Sequence, residues 1–119
     1  MVCTISGKRQ VSIDGNTDIT IGGRHKVYIN KNGQEGNHYD IQIGPNANVN
    51  IQVDKGDMNV VLKDGMMNTN VAGDYNLKVG GNMNLDVRGT YVETILKTKT
   101  SNTTKAVLHK GETFKVIAD

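Results

Sequence analysis

Apolar and polar positions alternate along this chain in short frames that restart at glycine. From Val71 to Thr94 three eight-residue units follow one another without a spacer: VAGDYNLK, VGGNMNLD and VRGTYVET. Val71, Val79 and Val87 hold the first position, and Gly73, Gly81 and Gly89 hold the third. Gly65 extends the glycine column one unit earlier, and Ile95 extends the apolar column one unit later. After each glycine the side chains alternate. Tyr75, Leu77 and Val79 share one parity against Asn76 and Lys78, and Met83, Leu85 and Val87 share it against Asn84 and Asp86. Side chains of a strand alternate with period two, so each unit is predicted to be a strand with one buried and one wetted face. Glycine at a fixed place predicts a kink, where φ is positive or a neighbouring backbone passes close.

The same frame occurs near the N-terminus. Ile5, Ile13, Ile21 and Ile29 fall eight apart, each two residues before Gly7, Gly15, Gly23 and, in the fourth unit, Lys31. Val11, Ile19 and Val27 take the places held later by Leu77 and Leu85. Two separated blocks obeying one rule are the signature of a repeat architecture; ordinary hairpin strands do not hold a frame to the residue. One slot differs between the blocks. Tyr75, Met83 and Tyr91 are replaced there by Arg9, Thr17 and His25. Either the N-terminal interior is polar and holds water or an anion, or the slot lies at a corner where its side chains reach solvent.

Between the blocks the frame breaks. Residues 30–40 (NKNGQEGNHYD) read as a surface loop; His38 and Asp40 resemble a metal pair, but one histidine in a polar loop is ordinarily just solvated. From Ile41 to Val53 alternation resumes without glycine kinks, and Pro45 marks a bend within it. Residues 54–63 reset the register. This divides the chain into N-terminal octads (1–29), a loop (30–40), a long strand with a resetting segment (41–62), C-terminal octads (63–96) and a terminal segment (97–119). Within the last, 97–105 (KTKTSNTTK) is a wetted strand or a linker. Val107, Leu108, Phe114, Val116 and Ile117 then gather around a turn at Lys110 and Gly111. A terminal unit unlike its repeats caps the stack or receives a partner, which makes Phe114, Val116 and Ile117 the candidate attachment residues.

Composition sharpens this picture. Among 119 residues, 36% are hydrophobic, 4% aromatic and none is Trp, which is thin for the core of a small monomer. The net charge of +2 is scattered, with no basic patch interleaved with aromatics, so nucleic acid is not an expected partner. A single cysteine, Cys3, excludes an internal disulfide framework. There is no apolar run of membrane-spanning length and no signal-peptide core, which predicts a soluble product of the cytoplasm. No nucleophile with its base, no carboxylate pair and no phosphate-binding glycine loop stands out. The expectation is a structural protein, not an enzyme, with no cofactor or metal.

Something must cover the apolar face. Three inward side chains per octad do not offset the cost of ordering eight residues of backbone. A single-chain solenoid would vary its sequence by face over a longer period, whereas here every octad is alike, as expected if each meets its equivalents in symmetry-related copies. The prediction is a homotrimer whose core is Ile5, Ile13, Ile21, Val71, Leu77, Val79, Leu85, Val87 and Ile95, with turns at Gly7, Gly15, Gly23, Gly65, Gly73, Gly81 and Gly89.

The run from Val71 to Thr94, with ISGKRQVSIDGNTDITIGGRHK before it, resembles the octapeptide V-x-G-x-x-x-x-x of the C-terminal needle of the central spike in T-even-like contractile phage tails, and the similar tails of type VI secretion spike (VgrG) proteins. The likeness covers most of residues 5–29 and 63–96. It is specific at the first and third positions and loose elsewhere. It implies an all-β fold, an intertwined triple-stranded β-helix in the form of a trimeric prism. It also implies a virion protein of the tail baseplate, assembled in the host cytoplasm, with hub and spike proteins at one end and a PAAR-like tip protein at the other. Such a needle is driven through the host outer membrane, in transient contact with it, when the sheath contracts. The lysozyme-like and OB-fold domains of that family are not seen ahead of the repeats, so no peptidoglycan hydrolysis is expected. Two rival readings are a trimeric tail-fibre or adhesin stalk binding a host receptor, and a single-chain β-helix enzyme acting on polysaccharide. The enzyme would want clustered carboxylates and a groove of stacking aromatics, and neither is present.

Overall fold

A strand exists only where its N–H and C=O groups find a second stretch of backbone. In the computed structural model, which describes residues 1–117, the octads do not supply one another with that partner. No helix and no strand forms among the described residues. No two of them twelve or more apart in sequence have Cα atoms within 8 Å, so successive octads bend without folding back. Among the described residues one backbone hydrogen bond stands in place of a ladder, from Gly33 N–H to the Asn30 carbonyl at 3.0 Å. A self-contained domain makes roughly one internal hydrogen bond per residue.

This corrects the fold class. The chain is not an all-β triple-stranded helix: among the described residues there is no strand pairing and no long-range contact. The physical reason is that alternation specifies which side chains share a face but not what the backbone pairs with. Accessible surface measures the same point. The chain exposes 14288 Å² at 12.9 kDa. A folded monomer of that mass exposes roughly 6,300 Å² and a fully extended chain roughly 18,700 Å². No side chain among the described residues is buried.

The chain divides into two units, Met1–Val61 and Leu62–Asp119. In the first, the backbone bends at residues 6–7, 14–15 and 22–23, one bend per octad. Tight turns follow at 31–32, 35–36 and 45–46, and a bend at 54–56. Pro45 leads directly into Asn46 in the left-handed region (φ 58°), which asparagine tolerates. In the second unit a bend at 63–65 is followed by others at 72–73, 80–81 and 88–89. The interval of eight then continues at 96–97 and 104–105, where Lys97 and Lys105 stand in the glycine column, and a last bend falls at 111–112.

The glycine column bends but mostly not for the reason expected of it. Gly65 alone in that column has positive φ, 101°. At Gly7, Gly15, Gly23, Gly73, Gly81 and Gly89 the backbone is not left-handed, and an added Cβ would meet nothing of its own chain within 4 Å. Nothing in the isolated chain requires glycine at these six places.

Candidate functional site

The repeated surface is the candidate site, and it is built from three columns. The apolar residue that opens each octad, two before the column glycine or before Lys31 and Lys97 in its place, belongs to the least exposed column. Ile5, Ile13, Ile21 and Ile29 in the first unit, and Val71, Val79, Val87 and Ile95 in the second, retain 42–55% of their exposure. The column of Val11, Ile19, Val27, Leu77 and Leu85 stands further out, at 53–78%. The third column, Tyr75, Met83 and Tyr91, is likewise exposed. The residues expected to form a core are therefore uncovered in the chain, and none has its Cα atom within 8 Å of another twelve or more residues away. Arg9, Thr17 and His25 occupy the corresponding slot in the first unit and are exposed, gathered around no cavity.

A polar cluster interrupts the stripe near its C-terminal end. Tyr91 Oη donates to Glu93 Oε2 at 2.9 Å, and Lys99 Nζ lies 2.5 Å from Glu93 Oε1. The Lys99 bond chiefly, then the Tyr91 bond, holds the Glu93 carboxyl below its ordinary pKa. The hydrogen bond to Glu93 raises Tyr91, and the same carboxylate raises Lys99. Sequence reasoning passed over this cluster. Its signal is the octad frame carried past Thr94: Glu93 stands in the column of Leu77 and Leu85, and Lys99 in that of Tyr75, Met83 and Tyr91. The ion pair of Arg88 and Asp86, at 3.8 Å and almost fully exposed, adds little.

The loop at 30–37 is held by the side chain of Asn30. Asn30, at φ 56°, donates from Nδ2 to the Gln34 carbonyl (2.7 Å) and accepts at Oδ1 from Gln34 N–H and Asn37 Nδ2, both at 3.1 Å. Gly33 and Gly36, at φ 70° and 80°, make the tight path possible. His38 and Asp40 follow this loop, and among the described residues no three His, Cys, Asp or Glu side chains are grouped to hold a metal ion. At the other end, Phe114 stacks on His109 (centroids 4.8 Å apart, 19° between planes) across the bend at 111–112, while Val116 and Ile117 remain exposed. No helix among the described residues is long and apolar enough to cross a membrane. No protein family, curated protein or solved structure matches this chain.

Proposed function

We propose that this chain is the membrane-piercing needle of a contractile phage tail, a structural part of the baseplate central spike that works as a homotrimer. The observation that carries the reading is the bend repeated every eight residues with the same least-exposed apolar column before it. Identical octads present identical stripes, and an apolar stripe this continuous is covered by something. Copies of the same chain are the covering that matches it at every octad.

The glycine column supports the same conclusion. Six glycines with free space on their own chain and no left-handed backbone are explained if a neighbouring copy's backbone approaches there. Force in such a machine comes from sheath contraction, so the shaft needs cohesion and a wetted outer face (Asn76, Lys78, Asn84, Asp86), and no catalytic group. Hub and spike proteins would hold one end, and a PAAR-like tip protein would sit on the segment containing Phe114, Val116 and Ile117.

Solution mass by light scattering is the first test, with three copies expected; a compact single molecule would overturn the reading. Gold-labelled antibody against the chain should then mark the distal end of intact contractile particles. Label along lateral fibres would instead favour a fibre or adhesin stalk, the reading favoured by the self-ordered loop at 30–37 and exposed Tyr39 beside it.

A further inference from the structure

We propose that Asp64 is a site of spontaneous isomerisation, where the backbone is rerouted through the side chain to give isoaspartate. Every atom the reaction needs belongs to one chain, so the proposal stands apart from the assembly proposed above. The chemistry is set by a glycine that follows an acid or amide side chain. With no Cβ on the following residue, its amide nitrogen is free to attack the side-chain carbonyl carbon and close a succinimide ring. Three such pairs occur in this chain: Asp14–Gly15, Asn32–Gly33 and Asp64–Gly65. By residue type the two Asp–Gly pairs are equivalent, and each fills the second and third places of its octad frame.

The structure separates them. Gly65 N–H donates to Asp64 Oδ1 at 2.9 Å, which folds the carboxyl over the very amide that must attack it. Holding reacting atoms in such an arrangement raises the rate at which they meet productively. Gly65 has φ 101°, and an added Cβ there would meet nothing within 4 Å, so no group of its own chain crowds the closing ring. Both residues are exposed in the bend at 63–65, where water reaches the ring. At Asp14, among the described residues, no hydrogen bond ties the carboxyl to Gly15 N–H, and Gly15 is not left-handed. At Asn32 the nucleophile is engaged elsewhere, because Gly33 N–H donates to the Asn30 carbonyl at 3.0 Å.

In the first step Gly65 N bonds to Asp64 Cγ and gives up its proton, while a Cγ–O bond breaks and that oxygen leaves as water. In the second step water adds to one of the two ring carbonyl carbons. Cleavage of the bond from N to Cγ restores aspartate. Cleavage of the bond from N to the Asp64 main-chain carbonyl carbon leaves Gly65 linked through Cγ, beside a free α-carboxylate. No oxidant or cofactor takes part, the mass is unchanged, and the backbone gains a carbon ahead of Val71 and the octads that follow.

The test incubates the full-length chain in neutral buffer and, in parallel, in guanidinium chloride. Isoaspartate at residues 14 and 64 is then quantified by proteolysis and electron-transfer fragmentation. The two sites share every condition, and the denaturant measures what flanking residues alone contribute. The ratio of the rate at Asp64 to that at Asp14 should be about two- to tenfold higher in buffer than in denaturant, the bias that one hydrogen bond supplies. Asp64→Glu, whose longer side chain closes no succinimide, should lose the isomer at 64 and keep the rate at Asp14. Equal ratios in the two solvents, a lower ratio in buffer, or no isoaspartate at 64 in the parent would each overturn the proposal.

Discussion

Lys99 Nζ lies 2.5 Å from Glu93 Oε1, and the pair they form reaches across the bend at 96–97 while Tyr91 Oη holds the second carboxylate oxygen at 2.9 Å. Both donors favour the ionised carboxylate, so the Glu93 pKa is lowered, chiefly by Lys99. A lowered carboxyl contributes its stabilisation above the ordinary glutamate pKa and loses it as pH falls through the depressed value. A carbon-detected NMR titration of the Glu93 carboxyl should have its midpoint below that of a free glutamate. Lys99→Ala should move it back part of the way, since the Tyr91 bond remains. An unmoved midpoint would show that the pair does not persist in solution.

Val79 and Val87 lie in the most enclosed column of the second unit. If copies meet along this column as proposed, Val79→Asp or Val87→Asp would bring one carboxylate per copy into the apolar contact, where an unpaired charge is not tolerated. Sedimentation equilibrium should report a monomer. A mass unchanged from the parent would place these valines outside the contact.

Gly81→Ala separates two explanations of the glycine column by the sign of its effect. Its own chain offers no obstacle, so reduced freedom of the disordered state alone would stabilise by about 0.4–1 kcal/mol. A neighbouring backbone against this position would instead make the methyl group destabilising. The expected result is a lower urea midpoint for dissociation, and a raised one would remove the close approach. Gly65→Ala should be harmful in either case, because φ 101° costs an alanine about 1–3 kcal/mol.

Asn30→Ala deletes the three side-chain hydrogen bonds that hold the loop at 30–37. Each is worth at most about 1 kcal/mol at an exposed site. Amide exchange at Gly33 and Gln34 should accelerate while the solution mass stays the same. Exchange already fast in the parent would mean that the loop is not held by Asn30.

Phe114→Ser removes the ring stacked on His109. If the terminal segment receives the tip protein, the variant should assemble normally and fail to retain that partner in pull-down from particles. Loss of the assembly itself would move Phe114 from attachment to cohesion.

The positions of the bends were legible in the residues. Gly7, Gly15, Gly23, Gly73, Gly81 and Gly89 each sit in one, because a repeated frame imposes a repeated local path. The glycine rationale was legible only at Gly65, since φ depends on the whole local chain and not on residue type. The cluster of Glu93, Lys99 and Tyr91 was hidden because Lys99 lies six residues from Glu93 and the two read as scattered surface charge. Only the bend at 96–97 brings Glu93 and Lys99 together.

Taken by itself, the order of residues determined the octad period, the apolar stripe and the thinness of any core one copy could make, all of which follow from side-chain parity and composition. The three-dimensional structure decided what parity leaves open: among the described residues no strand pairing forms, and the octads bend without returning. Which side chains share a face is a local property of the backbone, whereas pairing requires a second stretch of chain at hydrogen-bond distance, and no octad here comes back to provide it.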